Sequence, residues 1–104
     1  MTFIGLDSGG AKTAGMLCDA QGQVLARARD VGAGIIGLPD EAFYAVVQPM
    51  IDELCRQAGV DLAEISHLAI GLSGVDYPDE QAQQHRLIAD RLGLEGRLTL
   101  VNDG

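Results

Sequence analysis

A glycine-rich run near the N-terminus constrains this chain most. Residues 5–15 read GLDSGGAKTAG and lie where two short apolar segments, residues 2–7 and 14–19, meet. The common phosphate loop requires a lysine directly after its second glycine and a helix after the loop. Ala11 occupies the lysine position, and the segment after Thr13 is too short and too glycine-marked for a helix. The dinucleotide-binding fingerprint also requires a helix at this point. The run therefore predicts a hairpin turn between two strands.

This hairpin has two interpretations. Ser8, Gly9 and Gly10 lack bulky side chains, so the backbone can approach an anion closely and turn its N–H groups toward it. Asp7 ends the first strand, where a carboxylate could hold hydrated Mg²⁺, a cation that takes few protein ligands. The alternative is an ordinary glycine turn, with Asp7 in the turn and Lys12 in solvent.

Composition narrows the class of protein and its partners. The 104 residues suffice for one small domain with its own core. A hydrophobic content of 47% with 14 glycines is typical of a compact α/β protein. The net charge of −8 argues against nucleic acid and anionic membranes, because both attract basic surfaces. No apolar stretch is long enough to span a bilayer, and the N-terminus has no secretory signal pattern. These features predict a cytoplasmic protein.

The cysteines and histidines predict no metal centre. Cys18 and Cys55 have no CxxC spacing and no histidine cluster beside them. Both are interpreted as small core residues, in the second strand and on an apolar helix face. His67 and His85 are isolated from each other, so structural or exposed positions are expected for them.

The hydrophobic pattern predicts an ordered series of strands and helices. The strands are expected at residues 2–7, 14–19, 23–30, 66–72 and 97–103, and the helices at residues 40–58, 60–65 and 79–92. Asp61 and Asp79 are the expected N-caps. Gly59 and Gly93 are the expected stops. Pro49 is expected to kink the first helix, because proline removes a backbone donor.

The order of these elements predicts an α/β fold with a five-stranded mixed sheet and helices on its faces. The apolar character of strands one, four and five predicts parallel neighbours at the centre of the sheet. Their carboxyl ends would bring Asp7, the Ser73–Gly74 turn and the Asn102–Asp103 pair to one edge, where such sheets bind ligands. Two aspartates and two glycine-rich turns around one crevice favour the phosphate-binding interpretation of the hairpin.

Three motifs together resemble a known family. "GLDSGGAKT", "GLSGVDYPDEQ" and "VNDG" occur in this order and are similar to signatures of the N-acetylglucosamine kinase and BadF/BadG/BcrA/BcrD ATPase-like family, within the actin–hexokinase–Hsp70 superfamily. The match covers essentially the whole chain. It implies a ribonuclease H-like (actin-like ATPase) domain, with residues 1–104 as the N-terminal lobe of a two-lobed, ATP-dependent sugar or amino-sugar kinase and the second lobe absent.

The resemblance also implies roles for single residues. Asp7 would position Mg²⁺ through water, and Asp103 would be the catalytic base that takes a proton from the sugar hydroxyl. Phosphoryl transfer depends mainly on positioning and charge stabilisation, so these groups are adequate for it. The remaining implied contacts are with the ATP phosphates, from Ser8, Gly9, Gly10, Lys12 and Thr13, and with the sugar acceptor, from Ser73, Gly74, Asn102 and Asp103.

Some positions depart from the family pattern and define a second hypothesis. Ser8 replaces a glycine, Ala11 replaces a threonine, and residues 31–38 lack the asparagine expected to grip the sugar. Neither cysteine stands where the iron–sulfur ligands of dehydratase activators would be. The second hypothesis is a non-catalytic nucleotide-sensing or assembly domain, and a scaffold of the same fold without a ligand is a third. The predicted partner is a small-molecule sugar, a homodimer is a candidate assembly, and the chain alone is expected to be inactive.

Overall fold

The computed structural model describes residues 1–9, 12–31, 41–72 and 78–102. All five predicted strands and both predicted long helices are present. The elements in chain order are β1 (Thr2–Ser8), β2 (Lys12–Asp19), β3 (Val24–Val31), α1 (Glu41–Ala58), a 3-10 turn (Leu62–Glu64), β4 (Ile65–Leu72), α2 (Pro78–Leu92) and β5 (Leu98–Asn102). Neither α1 nor α2 has the length and apolar character that a membrane-crossing helix requires.

The strands form one mixed sheet in the order β3-β2-β1-β4-β5. β1 pairs antiparallel with β2, which pairs antiparallel with β3, whereas β1, β4 and β5 run parallel. The mixed sheet and the parallel set are confirmed. The central position expected of the fifth strand is wrong, because β5 is an edge strand of the described sheet. Its apolar run misled the prediction: Leu98 and Leu100 are buried, but Val101 is 52% exposed.

Alternation along each strand divides the sheet into a covered and an uncovered face. Ile4 and Leu6 of β1 are buried, whereas Phe3 and Gly5 between them are exposed. Inward residues of all five strands join residues of both helices in one core. That core includes Leu17, Ala26, Leu68, Ile70, Leu98 and Leu100 from the sheet, Phe43, Val47, Met50, Ile51 and Leu54 from α1, and Ile88, Ala89 and Leu92 from α2. Both described helices therefore pack on the same face.

A glycine sets how closely α1 approaches the sheet. A Cβ atom at Gly15 of β2 would lie 2.6 Å from Leu6 Cδ2 and 3.1 Å from both Leu54 Cδ1 and Met50 Sδ. No side chain fits there without displacing its neighbours. Gly15 therefore lets α1 rest directly on the backbone of β2.

A charged pair joins the two helices on the covered face. The Arg91 guanidinium of α2 donates from Nη1 and Nη2 to the two carboxylate oxygens of Glu41, at 3.0 and 3.3 Å. The same guanidinium lies 4.4 Å from the centroid of the Tyr44 ring. Tyr44 in turn contacts buried Phe43 edge to face, with centroids 5.3 Å apart. The start of α1 and the end of α2 are thereby held together.

The predicted helix ends agree with the structure at most points. Gly59 and Gly93 follow the two helices with φ of +70°, a conformation that favours glycine. The Asp61 N–H donates to Glu64 Oε1 at 3.0 Å, as expected at the start of the short turn. α1 runs uninterrupted through Pro49, so the proline does not end the helix. Asp79 is not the N-cap of α2, because the helix already begins at Pro78. Proline is well suited to this first position, since its missing N–H would have no partner there.

Two valine substitutions test the division of the sheet into two faces. Gly15→Val should lower the free energy of unfolding by about 1–3 kcal/mol, because the new side chain overpacks the core against Leu6 and α1. Gly5→Val is the matched control on the opposite face, where a Cβ atom would meet nothing within 4 Å. It should change stability by no more than about 0.5 kcal/mol. Chemical denaturation measures both, and equal midpoints for the two variants would contradict the assignment of faces.

Candidate functional site

The carboxyl ends of three parallel strands meet at one edge of the sheet. Ser8 at the end of β1 pairs with Leu72 of β4, and Leu72 pairs with Asn102 of β5. The predicted convergence of strand ends is therefore present. Ser73 and Gly74 follow β4 directly and Asp103 follows β5, but these three residues and Gly10 lie outside the described residues. Their roles stay predictions.

The glycine-rich run forms the expected hairpin. β1 and β2 pair up to Ser8 and Thr13, and the Gly9 N–H donates to the Lys12 carbonyl at 3.0 Å. The described residues that follow the turn, Lys12–Asp19, form strand β2 and not a helix, which is inconsistent with either classical phosphate loop. The Gly9 amide is already engaged within the hairpin, and a Cβ atom there would lie at an ordinary 3.5 Å from Lys12 O. What Gly9 offers a ligand is thus its small size, because its N–H has a partner.

Alternation separates the predicted hairpin residues into two sets. Asp7 and Lys12 are exposed and lie on the face that carries no described helix. Ser8 and Thr13 point to the covered face and are 0% exposed. The sequence predicted all four as one group around a ligand. The structure instead gives one charged side and one hydroxyl-bearing side.

Two hydroxyl groups on the covered side have no hydrogen-bond partner in the described part of the chain. They are Ser8 Oγ and Thr13 Oγ1. The pair between residues 9 and 12 is hydrogen-bonded, so the adjacent Ser8–Thr13 pair is of the non-bonded type, in which side chains lie closest. A buried polar group left unsatisfied costs about 1–3 kcal/mol. Such groups are rare in folded proteins and point to water or a ligand that would satisfy them.

Residues on α2 also hold the site edge together, and the sequence prediction missed them. Gln81 Nε2 donates to the Leu100 carbonyl at 3.1 Å, and His85 Nε2 donates to the Leu98 carbonyl at 2.6 Å. The Gln81 contact places the first turn of α2 beside the carboxyl half of β5, and the His85 contact holds the next turn beside the start of that strand. The positive end of a helix dipole there favours anions. The signal in the sequence was the i, i+4 spacing of Gln81 and His85, two polar residues on one side of an amphipathic helix.

The described side chains fit a cation that keeps most of its water better than a metal ion held by several protein ligands. Within the described residues, no three His, Cys, Asp or Glu side chains group closely enough to hold a metal ion. Asp7 supplies one carboxylate, which suits Mg²⁺ because that ion keeps several of its waters. Cys55 lies in the core as predicted, and burial raises the pKa of its thiol. Cys18 is half-buried in β2. His67 Nε2 lies 2.6 Å from Thr99 Oγ1, so this ring nitrogen has a hydrogen-bond partner on the neighbouring strand.

Solved structures share this fold. A proposed N-acetylglucosamine kinase from Chromobacterium violaceum is 27% identical, with a TM-score of 0.61 over 98% of this chain and 35% of its own. YeaZ from Pseudomonas aeruginosa is 21% identical, with a TM-score of 0.58 over 98% of this chain and 43% of its own. An activator of 2-hydroxyisocaproyl-CoA dehydratase from Clostridium difficile, solved with bound ADPNP, is 16% identical, with a TM-score of 0.52 over 72% of this chain and 24% of its own.

These likenesses establish the fold, and a family profile establishes the relationship. The chain spans between about a quarter and two fifths of the length of these proteins. It has the ribonuclease H-like fold of actin-like ATPases, as the sequence predicted. No curated protein matches the chain. The profile of the BadF/BadG/BcrA/BcrD ATPase family matches residues 4–104. The chain therefore belongs to the BadF/BadG/BcrA/BcrD ATPase family.

Proposed function

We propose that this chain is the N-terminal, phosphate-binding lobe of an ATP-dependent sugar or amino-sugar kinase. The observation that carries the proposal is the β1–β2 hairpin. It presents exposed Asp7 and Lys12 on one side and the unpartnered hydroxyls of Ser8 and Thr13 on the other. It stands at the sheet edge where β1, β4 and β5 end and where α2 begins. That edge offers both a cation site and an anion site within one hairpin.

Each described residue has a distinct task in this proposal. Asp7 would hold Mg²⁺ through water, and the ion would supply positive charge beside the phosphate oxygens. Lys12 contacts the phosphates as a flexible point charge on the same side of the hairpin. Gly9 allows the phosphates to approach the turn. Phosphoryl transfer needs little more from a protein than such positioning and charge stabilisation.

The acceptor side rests on Ser73, Gly74 and Asp103, which lie beyond the described ranges, and on Asn102 at the end of β5. Asp103 takes the proton from the attacking sugar hydroxyl, and Ser73, Gly74 and Asn102 border the acceptor. The similarity to the proposed N-acetylglucosamine kinase supports a sugar acceptor. The family assignment supports ATP as the nucleotide. Cys18 in β2 and buried Cys55 in α1 give no support to an iron–sulfur activator.

A second candidate is a non-catalytic nucleotide-sensing or assembly domain. Ala11 stands where the resemblance places a threonine hydroxyl for phosphate, and residues 31–38 contain no asparagine for the sugar. The two candidate functions differ in whether the protein transfers phosphate from ATP to a sugar. A longer protein that contains this chain should phosphorylate N-acetylglucosamine or glucosamine if it is a kinase, and should only bind ATP if it is a sensor.

Calorimetry of the 104-residue chain with Mg-ATP tests the phosphate hairpin. We expect a dissociation constant weaker than about 1 μM, a free energy less favourable than about −8 kcal/mol, because this lobe supplies only phosphate contacts. Lys12→Ala should weaken binding further. Arg86→Ala is the matched control, since Arg86 is also exposed but lies on α2. Submicromolar affinity, or equal losses in the two variants, would contradict the assignment.

Two substitutions of Thr13 test whether its hydroxyl contacts Mg-ATP or has only a structural role. Thr13→Val keeps the shape but removes the unsatisfied oxygen, so it should raise the free energy of unfolding by about 1–2 kcal/mol. It should also reduce the increase in Tm that Mg-ATP produces. Thr13→Ser keeps the hydroxyl and should retain that increase. Stabilisation by Thr13→Val with an unchanged response to Mg-ATP would remove Thr13 from the binding site.

The proposed role of Asp103 as the catalytic base is tested in a longer protein that contains both this chain and a second lobe. Asp103→Asn should lower kcat about 10²- to 10⁴-fold, because an amide cannot accept the hydroxyl proton. The KM for ATP and the Tm should change much less. A well-folded variant with near-normal kcat would exclude Asp103 as the base and, with it, this mechanism.

A further inference from the structure

The two outer strands of the described sheet, β3 and β5, each direct one row of backbone groups away from the sheet. Unpaired N–H and C=O groups on such an edge can pair with a strand of another molecule. Successive residues of a strand point these groups to alternate sides, so every second residue belongs to the outward row. The partners of the two outward rows therefore determine whether the sheet can be extended.

The backbone of Arg27 belongs to the outward row of β3. The Gly9 N–H donates to the Lys12 carbonyl, and hydrogen-bonded pairs of β1 and β2 alternate from this point. By that alternation, Met16 of β2 directs its N–H and C=O toward β1. Arg27 lies opposite Met16 in the pairing of β2 with β3. The N–H and C=O of Arg27 consequently point away from β2, to the edge of the sheet.

One side chain of α1 occupies both of these backbone groups. Gln57 Oε1 accepts the Arg27 N–H at 3.2 Å, and Gln57 Nε2 donates to the Arg27 carbonyl at 3.0 Å. A primary amide has the donor and the acceptor of a peptide group, so Gln57 takes the place of a residue on a further strand. Arg27 lies near the middle of β3, and its contact with Gln57 divides the outward row into two short parts.

The preceding turn of α1 holds this amide in its orientation. Gln57 Nε2 also donates to Glu53 Oε1 at 3.2 Å. Glu53 in turn accepts hydrogen bonds from the Arg56 guanidinium. The hydrogen bonds from Arg56 and then from Gln57 lower the pKa of Glu53 to about 2, so the carboxylate stays ionised above that pH. Both N–H groups and the oxygen of the Gln57 side chain thus have partners.

The carbonyls of Leu98 and Leu100 belong to the outward row of β5. The Leu68 N–H of β4 donates to the Arg97 carbonyl at 2.8 Å, so the carbonyl just before Leu98 points toward β4. Alternation then directs the Leu98 and Leu100 carbonyls to the opposite side of the strand.

Both of these carbonyls accept hydrogen bonds from α2. Gln81 Nε2 lies 3.1 Å from Leu100 O, and His85 Nε2 lies 2.6 Å from Leu98 O. A strand that paired with β5 would need these carbonyls as acceptors, because a ladder uses every second residue. β5 is also only five residues long, and a short edge strand offers few pairing positions. Side chains of α2 therefore occupy the acceptors on this edge.

We propose that Gln57, Gln81 and His85 close both edges of the sheet, so that copies of this chain do not associate by pairing strand with strand. All three side chains come from helices that pack on the covered face. An open edge would favour a second copy in particular, because a two-fold contact brings the same edge of both copies together. An assembly of the unaltered chain would then use another surface. This role is independent of the proposed kinase activity.

Removal of the Gln57 amide opens the edge of β3. Gln57→Met keeps the length of the side chain and its preference for helix, but it offers neither the amide donor nor the amide acceptor. In sedimentation equilibrium the variant should dimerise with an association constant at least about tenfold above that of the unaltered chain, because two freed backbone groups each gain a hydrogen bond. Gln48→Met is the matched control, since Gln48 is also on α1 but contacts no strand backbone through a hydrogen bond in the described residues.

Opening of both edges should change the kind of assembly. Gln81→Met/His85→Leu opens β5 alone and should also give dimers, whereas Gln83→Met on the exposed side of α2 should not. A variant that adds Gln57→Met to this pair has two open edges, and such contacts can propagate into open chains. Sedimentation velocity should therefore show species larger than dimers only for this triple variant.

A proline on the outward row distinguishes strand pairing from aggregation of unfolded chains. Arg29 lies two residues after Arg27, so its N–H also faces outward, and Arg29→Pro removes no hydrogen bond to β2. Added to Gln57→Met, this substitution should restore the monomer. Hydrogen exchange gives a local measure, because the Arg27 amide should exchange faster in Gln57→Met while the Ala28 amide, which faces β2, should not.

Three results would overturn the proposal. Equal association of Gln57→Met and Gln48→Met would show that the amide does not protect the edge. Association of Gln57→Met that Arg29→Pro leaves unchanged would show contact through another surface or between unfolded chains. A dimer of the unaltered chain that Arg29→Pro converts to monomer would show that the edge of β3 is already used for pairing.

Discussion

The packing of two helices against one face of the sheet is the interaction on which the rest of the structure depends. At Gly15 this packing leaves no room for a side chain, and α1 rests on the backbone of β2. Fixing this face as the interior sets the direction of every strand side chain, because neighbours along a strand alternate. Ile4, Leu6 and Ser8 point inward as a consequence, and Gly5 and Asp7 point outward. The site at the strand ends is therefore oriented by the core below it.

In the hairpin, the alternation that the core imposes also buries polar groups, which lowers the stability of the fold. The buried hydroxyls of Ser8 and Thr13 have no partner among the described residues, which opposes folding, and the extensive surrounding core offsets this cost. Binding sites often retain polar groups that the free protein leaves unsatisfied, since a ligand then gains by completing them. The same turn presents Asp7 and Lys12 to the opposite side. One short turn thus carries two chemically different surfaces.

Local patterns in the sequence were sufficient to predict the elements and their order. The turn between β1 and β2 followed from Ala11 in the lysine position and from the lack of a helix after Thr13. The parallel grouping of β1, β4 and β5 followed from their apolar runs. The edge position of β5 could not be predicted from its apolar run. Such a run indicates that a strand is suited to burial, but it does not show whether another strand lies on each side of it. Val101 illustrates this, since it belongs to that run yet is largely exposed.

The sequence also could not show on which face of the sheet each candidate site residue lies. Asp7, Ser8, Lys12 and Thr13 are close in the chain, and only the identity of the covered face shows that they divide two and two. That identity depends on where α1 and α2 cross the sheet, which involves residues far apart in sequence. The contacts of Gln81 and His85 with β5 are of the same kind, because they join elements whose relative placement the hydrophobic pattern leaves open.

The strict alternation through the hairpin has a consequence for how the site can change in evolution. A slip of one residue in the pairing of β1 with the core would exchange Asp7 for Ser8, which would bury a carboxylate and expose a hydroxyl. The same slip would place Gly5 beneath α1 and turn the large side chains of Ile4 and Leu6 to the outside. Any variant that turns Asp7 inward in this way therefore also loses its hydrophobic interior. Selection for a stable fold alone thus preserves the orientation of Asp7.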